Sequence, residues 1–450
     1  MLLEQFFDPG LGHASYLVAD PDEGMAFLVD PDRHLGPYLE RAAALGVLIT
    51  HSFETHVHND YVSGSPLIAA LRPIAVVTGA HAEVGYPHRS LADGDHLDVG
   101  ALRISCVATP GHTPEHVSFL VADLRRADDP QYLFSGGALL VGHIARVDLL
   151  GPELGETLAR AAFDTLRERI LPLADHIAVF PTHGGGSACA SSSVASSRWT
   201  TLGFERRHND VARAALGDIK GFREAIGHDL PVAPAYYPQI RALNHRGAKA
   251  APADALGRLR DPLPGDAALI DPRAPHVFAM GHRPGALNVV GNDSFAVRVG
   301  AVVPFGTPMV LLTTDAAAAQ GLRQQLATIG FDDVRGVADA VPETGEDLER
   351  VRTVDARTAK SLADNGAQLV DVREASEYHE AHAPGALHIP YQQLQGRLAE
   401  LPAGRDIVVY CASGVRSSLA ASILERHGIA AANMRGGFNS WVGADLPTEA

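Results

Sequence analysis

Thr55-His56-Val57-His58-Asn59-Asp60-Tyr61-Val62-Ser63-Gly64 is the stretch on which the reading of this chain turns. It sets imidazoles at i and i+2 and a carboxylate at i+4 in one short polar segment. The apolar run Val47 to Phe53 precedes it and reads as a strand; Gly64 to Leu71 follows and reads as a helix. Residues i and i+2 of an extended chain project to the same side. His56 and His58 then face one cavity, with Asp60 at the start of the helix, which is half of a metal site. A polar turn with incidental histidines is the bland alternative, and it weakens as more histidines follow in equivalent places.

Working outward, residues 1 to about 245 alternate strand and helix patterns. Ala14 to Val18 and Ala26 to Val29 read as apolar strands, the second ahead of the turn Asp30-Pro31-Asp32. Leu35 to Leu45 has helical periodicity, with Leu35, Leu39 and Ala42 on one face. Ala75 to Thr78 is a short strand. Leu102 to Ala108 is a strand ending in Thr109-Pro110-Gly111-His112-Thr113-Pro114-Glu115-His116. Tyr132 to Ser135 runs into Gly136-Gly137, and Ile177 to Phe180 into Pro181-Thr182-His183-Gly184-Gly185-Gly186. A strand followed by a His- or Gly-bearing turn is thus the repeating unit. In an α/β layered fold such turns share one edge of the sheets. His56, His58, Asp60, His112 and His183 converge there although they are far apart in sequence. Residues 187 to 201 are small and polar and read as a loop over that edge. Residues 204 to 229 read as one or two amphipathic helices, and residues 231 to 252, punctuated by prolines, as a linker.

Composition sets the outer bounds. A chain of 450 residues with 46% apolar content carries two to four globular domains. A net charge of −16 argues against nucleic acid and anionic membranes as partners. No apolar run is long enough to span a bilayer, and the start MLLEQFFDPG lacks a basic region and a signal-like core. Cys106, Cys189 and Cys411 cannot build a disulfide framework, so a reducing cytoplasm is the expected compartment.

The motifs Thr-His-Val-His-Asn-Asp, Thr-Pro-Gly-His-Thr-Pro-Glu-His and Pro-Thr-His-Gly resemble, in order, those of the metallo-β-lactamase fold, an αβ/βα sandwich. Phe180 to Cys189 and Val141 to Leu149 resemble more closely the persulfide dioxygenase branch and its fusions with rhodanese domains. The resemblance implies His56 and His112 as metal ligands, with His58, Asp60 and His183 around the metal and Arg146 toward substrate. It also implies iron and oxygen converting a glutathione-type persulfide to thiol and sulfite. The chain departs from that pattern twice. Tyr61 stands where glyoxalase II and similar binuclear hydrolases carry another histidine, and phenol is the poorer ligand. Gly137 stands where the family carries a ligand aspartate after its strand, so the carboxylate of an iron facial triad is missing. Asp60 or water is left to fill the gap. Gly137 is also expected to leave room for a rebuilt Asp side chain.

The last third repeats itself at an offset of 100 residues. Asp271-Pro272-Arg273 returns as Asp371-Val372-Arg373, and His282-Arg283-Pro284-Gly285-Ala286-Leu287 as His382-Ala383-Pro384-Gly385-Ala386-Leu387. Each copy continues to an apolar strand, Met309 to Leu312 and Ile407 to Tyr410, and then a helix, so two copies of one α/β domain are expected. In the second copy the strand delivers Cys411-Ala412-Ser413-Gly414-Val415-Arg416-Ser417 to a helix N-terminus. Inward N–H groups, the helix dipole and Arg416 favour thiolate there. A buried strand-end cysteine is the alternative, and the Gly-x-Arg-Ser continuation argues against it. The first copy has Thr313-Thr314-Asp315-Ala316 at that place and no cysteine, leaving it packing and spacing as roles. This half resembles a tandem of rhodanese domains, with a loop of sulfurtransferase length.

The expectation is therefore an α/β chain: an αβ/βα metallo-β-lactamase sandwich over 1–245, then two rhodanese-like domains with parallel sheets. The first of these, 253–345, lacks an active-site cysteine; the second, 352–450, uses Cys411 as nucleophile with Arg416, and Ser413, Gly414 and Val415 bind substrate. Fe(II) is the expected metal, Zn the alternative, and no metal at all a third outcome of Gly137. The expected partners are persulfides or glutathione-type thiols, thiosulfate or sulfite, with a homodimer allowed. The rival functions are a zinc-dependent thioester hydrolase and a metal-free domain that presents persulfide to Cys411.

Overall fold

The computed structural model describes residues 1–185, 187–190, 197–227, 230, 232–341 and 348–450. The chain forms two units. One holds Met1–Ala233, Tyr237–Ala251 and Thr328–Gly330; the other holds Pro234–Tyr236, Pro252–Ala327 and Phe331–Ala450. Among the described residues no helix is long and apolar enough to cross a membrane.

Alternation along single strands dictates the layers of the first unit. His13–Asp20 is buried along its whole length, so both of its faces are covered. Tyr16 and Val18 point into a core shared with Phe53, Val77, Ile104, Phe119, Val121 and Phe134. Leu17 and Ala19, one residue out of phase, pack instead with Tyr38, Ala42, Leu67 and Ile68 of the helices Gly36–Leu45 and Ser65–Leu71. One sheet runs Leu2–Asp8, His13–Asp20, Met25–Val29, Leu48–Phe53, Ala75–Gly79, Arg89–Leu91. The facing sheet runs Thr200–Thr201, Ala178–Pro181, Tyr132–Gly136, Val117–Asp123, Leu102–Ala108, His96–Val99. Leu120, Leu133 and Val179 on its outer face meet Leu158, Ala162, Phe163, Val211 and Phe222 of a second helical layer. The result is the αβ/βα sandwich expected from the motifs. Each large apolar side chain taken out of water in these cores contributes roughly 1.5–3 kcal/mol.

Two local expectations change. Residues 231–252 are not a plain linker. Tyr237–Arg246 is a helix, and its Pro238 lies in the first turn, where a missing N–H costs nothing. Over 204–229 the described residues form three helices, Leu202–His208, Asp210–Ala215 and Ile219–Ile226. The breaks are set by Asn209 and Asp218, whose side chains cap the second and third helices at Ala212 N–H and Gly221 N–H. Residues 228–229 lie outside the described residues, as do 191–196 of the expected loop.

The second unit contains two sheets. One runs Leu287–Asn288, Ala268–Asp271, Met309–Leu312, Val334–Ala338; the other Leu387–His388, Gln368–Asp371, Ile407–Tyr410, Ala431–Met434, Arg352–Val354. All their neighbours are parallel. The offset of 100 survives in the register: Ile270 pairs with Leu287 and Val370 with Leu387. It survives in side chains too. Arg273 Nη2 donates to Asp271 Oδ2 at 2.6 Å, as Arg373 does to Asp371. His282 bridges to Glu349 and His382 to Glu449. The expected end of the first repeat at 345 lies outside the described residues.

Candidate functional site

Asp30 organises the histidine edge of the sandwich. It ends the strand Met25–Val29 in a left-handed conformation, φ 50°, which an aspartate tolerates better than most residues. Its buried carboxylate accepts Thr55 N–H at 2.7 Å, the Thr55 hydroxyl at 2.8 Å and His58 Nε2 at 3.1 Å; the Thr182 hydroxyl donates to it as well. Burial opposes its ionisation, but His58 and these donors hold it below the usual carboxylate range. His58 Nε2 also lies 3.2 Å from Glu54 Oε2. Burial works against a charged ring there, yet Asp30 and Glu54 outweigh it and push His58 up to about 10. His58 Nε2 is thus taken by two carboxylates; its Nδ1 has no hydrogen-bond partner.

The same network fixes His56. The Thr55 hydroxyl proton goes to Asp30, so its oxygen accepts from His56 Nδ1–H at 2.9 Å. That leaves a lone pair on His56 Nε2, 3.4 Å from His183 Nε2. His112 is set likewise: its Nδ1–H donates to the Arg146 carbonyl at 2.7 Å, and its buried Nε2 has no partner. Arg146 therefore meets the site through its backbone, while its guanidinium pairs with Asp148 at 2.6 Å. Asp60 Oδ2 lies 3.3 Å from His183 Nδ1, and neither carboxylate oxygen of Asp60 is hydrogen-bonded. Burial opposes ionisation, but His183, then His58 and His13, hold Asp60 well below the usual range. Tyr61 donates its hydroxyl to the Asp30 carbonyl at 3.0 Å. His116 is committed at both nitrogens, to Thr109 Oγ1 at 2.8 Å and to Gly137 N–H at 2.9 Å.

Donor atoms gather in groups within 4.8 Å: His56, His58 and His183 in one, His112, His183 and Cys189 in another, Asp30, Glu54 and His58 in a third. His56 and His112 stand in different groups, and His183 joins them. Asp30 and Cys189 were not singled out as site residues in the sequence. The signal for Asp30 was an acid closing an apolar strand. Cys189 carries no ligand spacing, because its neighbours arrive from other strands.

Gly137 does not offer the room expected of it. Its φ is not positive, so the backbone admits a side chain, but a Cβ there would stand 2.7 Å from His112 Cδ2 and 2.9 Å from Ala145 Cβ. The orphaned Nε2 of His112, the lone pair of His56 and the bare Asp60 carboxylate fit a cation. A carboxylate at 137 does not fit beside His112 as it stands.

In the second unit Ile407–Tyr410 delivers Cys411 beneath the helix Val415–Arg426. Gly414, at φ 96°, turns its N–H onto Cys411 Sγ at 3.1 Å. The Ser417 hydroxyl lies 3.5 Å from the sulfur, and Asn433 Nδ2 ties the turn by donating to Gly414 O at 3.1 Å. Burial alone would raise the thiol's pKa; Ser417, the Arg416 charge and backbone N–H groups at 413 and 417 outweigh it and lower it. Arg416 is held by Glu377 at 2.6 and 2.7 Å. In the first repeat the matching turn is closed by Asp315, which accepts from Ala317 and Ala318 N–H at 3.0 Å, an ordinary helix cap.

Sandwich, histidine edge and cradled thiol together define a metal-binding α/β fold joined to a sulfurtransferase-type loop. The family description "Rhodanese-like domain" matches residues 355–444. The mitochondrial persulfide dioxygenase ETHE1 of Homo sapiens is 29% identical over 189 residues, 41% of this chain and 68% of that protein. A probable metallo-hydrolase of Burkholderia pseudomallei is 30% identical over 203 residues, 37% of this chain and 67% of its own length. The solved metallo-β-lactamase of Staphylococcus aureus is 28% identical with TM-score 0.69, over 76% of this chain and 99% of that one. The chain belongs to the metallo-β-lactamase superfamily in its N-terminal part and carries a rhodanese-like domain at its C-terminal end.

Proposed function

We propose that this chain handles persulfide sulfur at two places, a metal-dependent oxidation site in the sandwich and a sulfurtransferase at Cys411. The observation that carries the reading is the Gly414 N–H on Cys411 Sγ at 3.1 Å, at a helix start, with the sulfur's pKa lowered. That thiolate attacks the outer sulfur of thiosulfate or a persulfide. The donor's S–S bond breaks, sulfite or thiolate leaves with the electron pair, and Cys411 holds the persulfide. A second thiol, or cyanide in an assay, takes the terminal sulfur and returns the thiolate. Ser413, Gly414 and Val415 line the turn that receives the anion, and Arg416 supplies charge while Glu377 positions it.

In the sandwich, His56, His112 and His183 would hold the metal, with Asp60 balancing its charge and His58 fixing Asp30. Bound Fe(II) would supply the redox chemistry by which a glutathione-type persulfide, O2 and water become thiol and sulfite. The protein's own part is orientation: Thr55 and the Arg146 carbonyl fix the two imidazoles with their Nε2 atoms free. A binuclear zinc hydrolase is disfavoured because the Tyr61 hydroxyl is donated to a backbone carbonyl. Support for the sulfur reading comes from the persulfide dioxygenase relative and from the rhodanese-like match.

The test is thiosulfate:cyanide transfer by the full chain. Cys411→Ser should abolish it, and Cys106→Ala, in the sandwich core, should leave it intact. Equal loss from both would remove Cys411 from the reaction.

A further inference from the structure

We propose that Cys189 is a metal ligand, joining His112 and His183 in a soft two-nitrogen, one-sulfur set that takes the place of the side chain Gly137 lacks. This rests on the reading of the sandwich as metal-dependent and names the donor that reading leaves open. Cys189 Sγ and one ring nitrogen from each histidine lie within 4.8 Å of one another. Ligands about 2.1–2.3 Å from a tetrahedral cation stand roughly 3.4–3.8 Å apart, so closing the set takes side-chain shifts of about 1 Å, the order of a rotamer adjustment. His56 Nε2 and His183 Nε2 are already 3.4 Å apart.

A second, independent observation points to a ligand. His112 is buried, its Nδ1–H is fixed by the Arg146 carbonyl, and its Nε2 lone pair meets no donor. A buried lone pair without a donor is costly unless a cation satisfies it. The segment bearing Cys189 is tied to the same strand of chain: Arg146 N–H donates to the Cys189 carbonyl at 2.8 Å, and Ala190 bridges to Ala145. One short ladder thus positions the cysteine directly and orients His112 through Arg146. The hydrogen bond of the thiol to Tyr237 Oη is a long one, 3.7 Å, which a metal would replace. Metal coordination removes the thiol proton, and a thiolate brings the negative charge that an aspartate at 137 would have brought. Soft sulfur beside imidazole selects zinc- or iron-type cations over magnesium or calcium.

The experiment is Co(II) titration of the chelator-treated full chain without oxygen, followed by absorption spectroscopy and metal analysis. The unmodified protein should bind one equivalent and show a sulfur-to-cobalt charge-transfer band in the near ultraviolet. Cys411→Ser should keep that band. Cys189→Ser, its folding checked by circular dichroism, should lose it and bind Co(II) at least about 100-fold more weakly, since even outer partners of ligands are worth 10–100-fold. One equivalent bound without the band in the unmodified protein overturns the cysteine assignment and leaves the metal-dependent reading standing. No cobalt bound overturns both. A band that survives in Cys189→Ser overturns the assignment as well.

Discussion

Giving Gly137 a carboxylate is the obvious repair of the histidine site, and the packing opposes it. A Cβ at 137 meets the His112 ring and the Ala145 methyl inside contact distance, so Gly137→Ala should destabilise by about 1–3 kcal/mol, the usual range for overpacking. Gly137→Asp should lower Co(II) affinity by displacing His112; a rise in bound metal would show instead that the ring can swing aside. Cys411 gives the pH-dependent case. Its pKa is lowered in the fold, so the thiolate is present above that pKa and lost as pH falls through it. Removing the Arg416 charge moves the pKa upward. Arg416→Met should therefore shift the acid limb of iodoacetamide alkylation to higher pH and slow alkylation at neutral pH on the order of tenfold. An unmoved limb would assign the lowering to Ser417 and the backbone alone. The sequence showed Cys411, the histidines and Gly137 because each sits in a turn after an apolar strand. It did not show Asp30 as the hub, because its importance lies in Thr55, His58 and Thr182, each reached only by folding.

At the scale of elements, the helix Tyr237–Arg246 is the piece that sequence reasoning misjudged. The prolines of residues 231–252 suggested a linker, yet this helix clamps the histidine stretch. Asn244 Nδ2 donates to the carbonyls of His58 and Tyr61 at 2.9 and 2.8 Å, and its Oδ1 accepts from Ser63 N–H at 2.9 Å. Arg241 donates to the Val57 carbonyl at 2.8 Å and pairs with Glu115 at 3.0 Å. Asn244→Ala leaves those buried backbone groups unpaired and should cost about 1–3 kcal/mol in urea unfolding. It should also weaken Co(II) binding, because the loop carrying His56 and Asp60 loses its splint. A variant as stable as the parent would show that water replaces the amide. The strands His13–Asp20, Met25–Val29 and Tyr132–Gly136 were legible because their apolar runs are buried along nearly their whole length, whereas Leu2–Asp8, Arg89–Leu91, His96–Val99 and Val117–Asp123 went unread. This helix was not legible, since its buried positions, Tyr237, Ile240 and Asn244, include a polar residue that no hydrophobic pattern registers. The offset repeats were legible as recurring Asp-x-Arg and His-x-Pro-Gly motifs, because a fixed spacing preserves register; the pairing of Asp371 with Arg373 came only with the fold.

At the scale of the second unit, the repeat without a cysteine is hydrogen-bonded to the repeat that carries Cys411. Ser418 Oγ donates to Asn288 Oδ1 at 2.6 Å, Asn288 N–H donates to Ser422 Oγ at 3.1 Å, and Gln395 Nε2 donates to the Val302 carbonyl at 2.7 Å. The first two bonds dock the first repeat against the helix Val415–Arg426, whose start holds Cys411, and the third ties it to the turn Leu394–Gly396. They bring Arg298, on the helix Phe295–Val302, into electrostatic range of both Cys411 and Arg416. Burial, then Arg416, lower the Arg298 pKa, while Tyr391 and Cys411 raise it. A guanidinium remains charged under such shifts. Arg416 is neutralised in part by Glu377, whereas Arg298 is bonded to the neutral amide oxygen of Asn292 at 3.0 Å. On the proposed sulfurtransferase reading, Arg298 is a second cation for an anionic donor arriving at the loop. Nothing in the sequence linked residue 298 to residue 411, because the link depends on how one repeat docks on the other. Arg298→Met should raise the KM for thiosulfate, a dianion, by about tenfold, the worth of one partly desolvated charge contact. It should leave kcat and alkylation by neutral iodoacetamide close to the parent values, and the KM of the variant should depend less on salt. Equal loss of kcat and of alkylation would mean that Arg298 acts on the thiol itself. An unchanged KM would return the first repeat to a purely structural role.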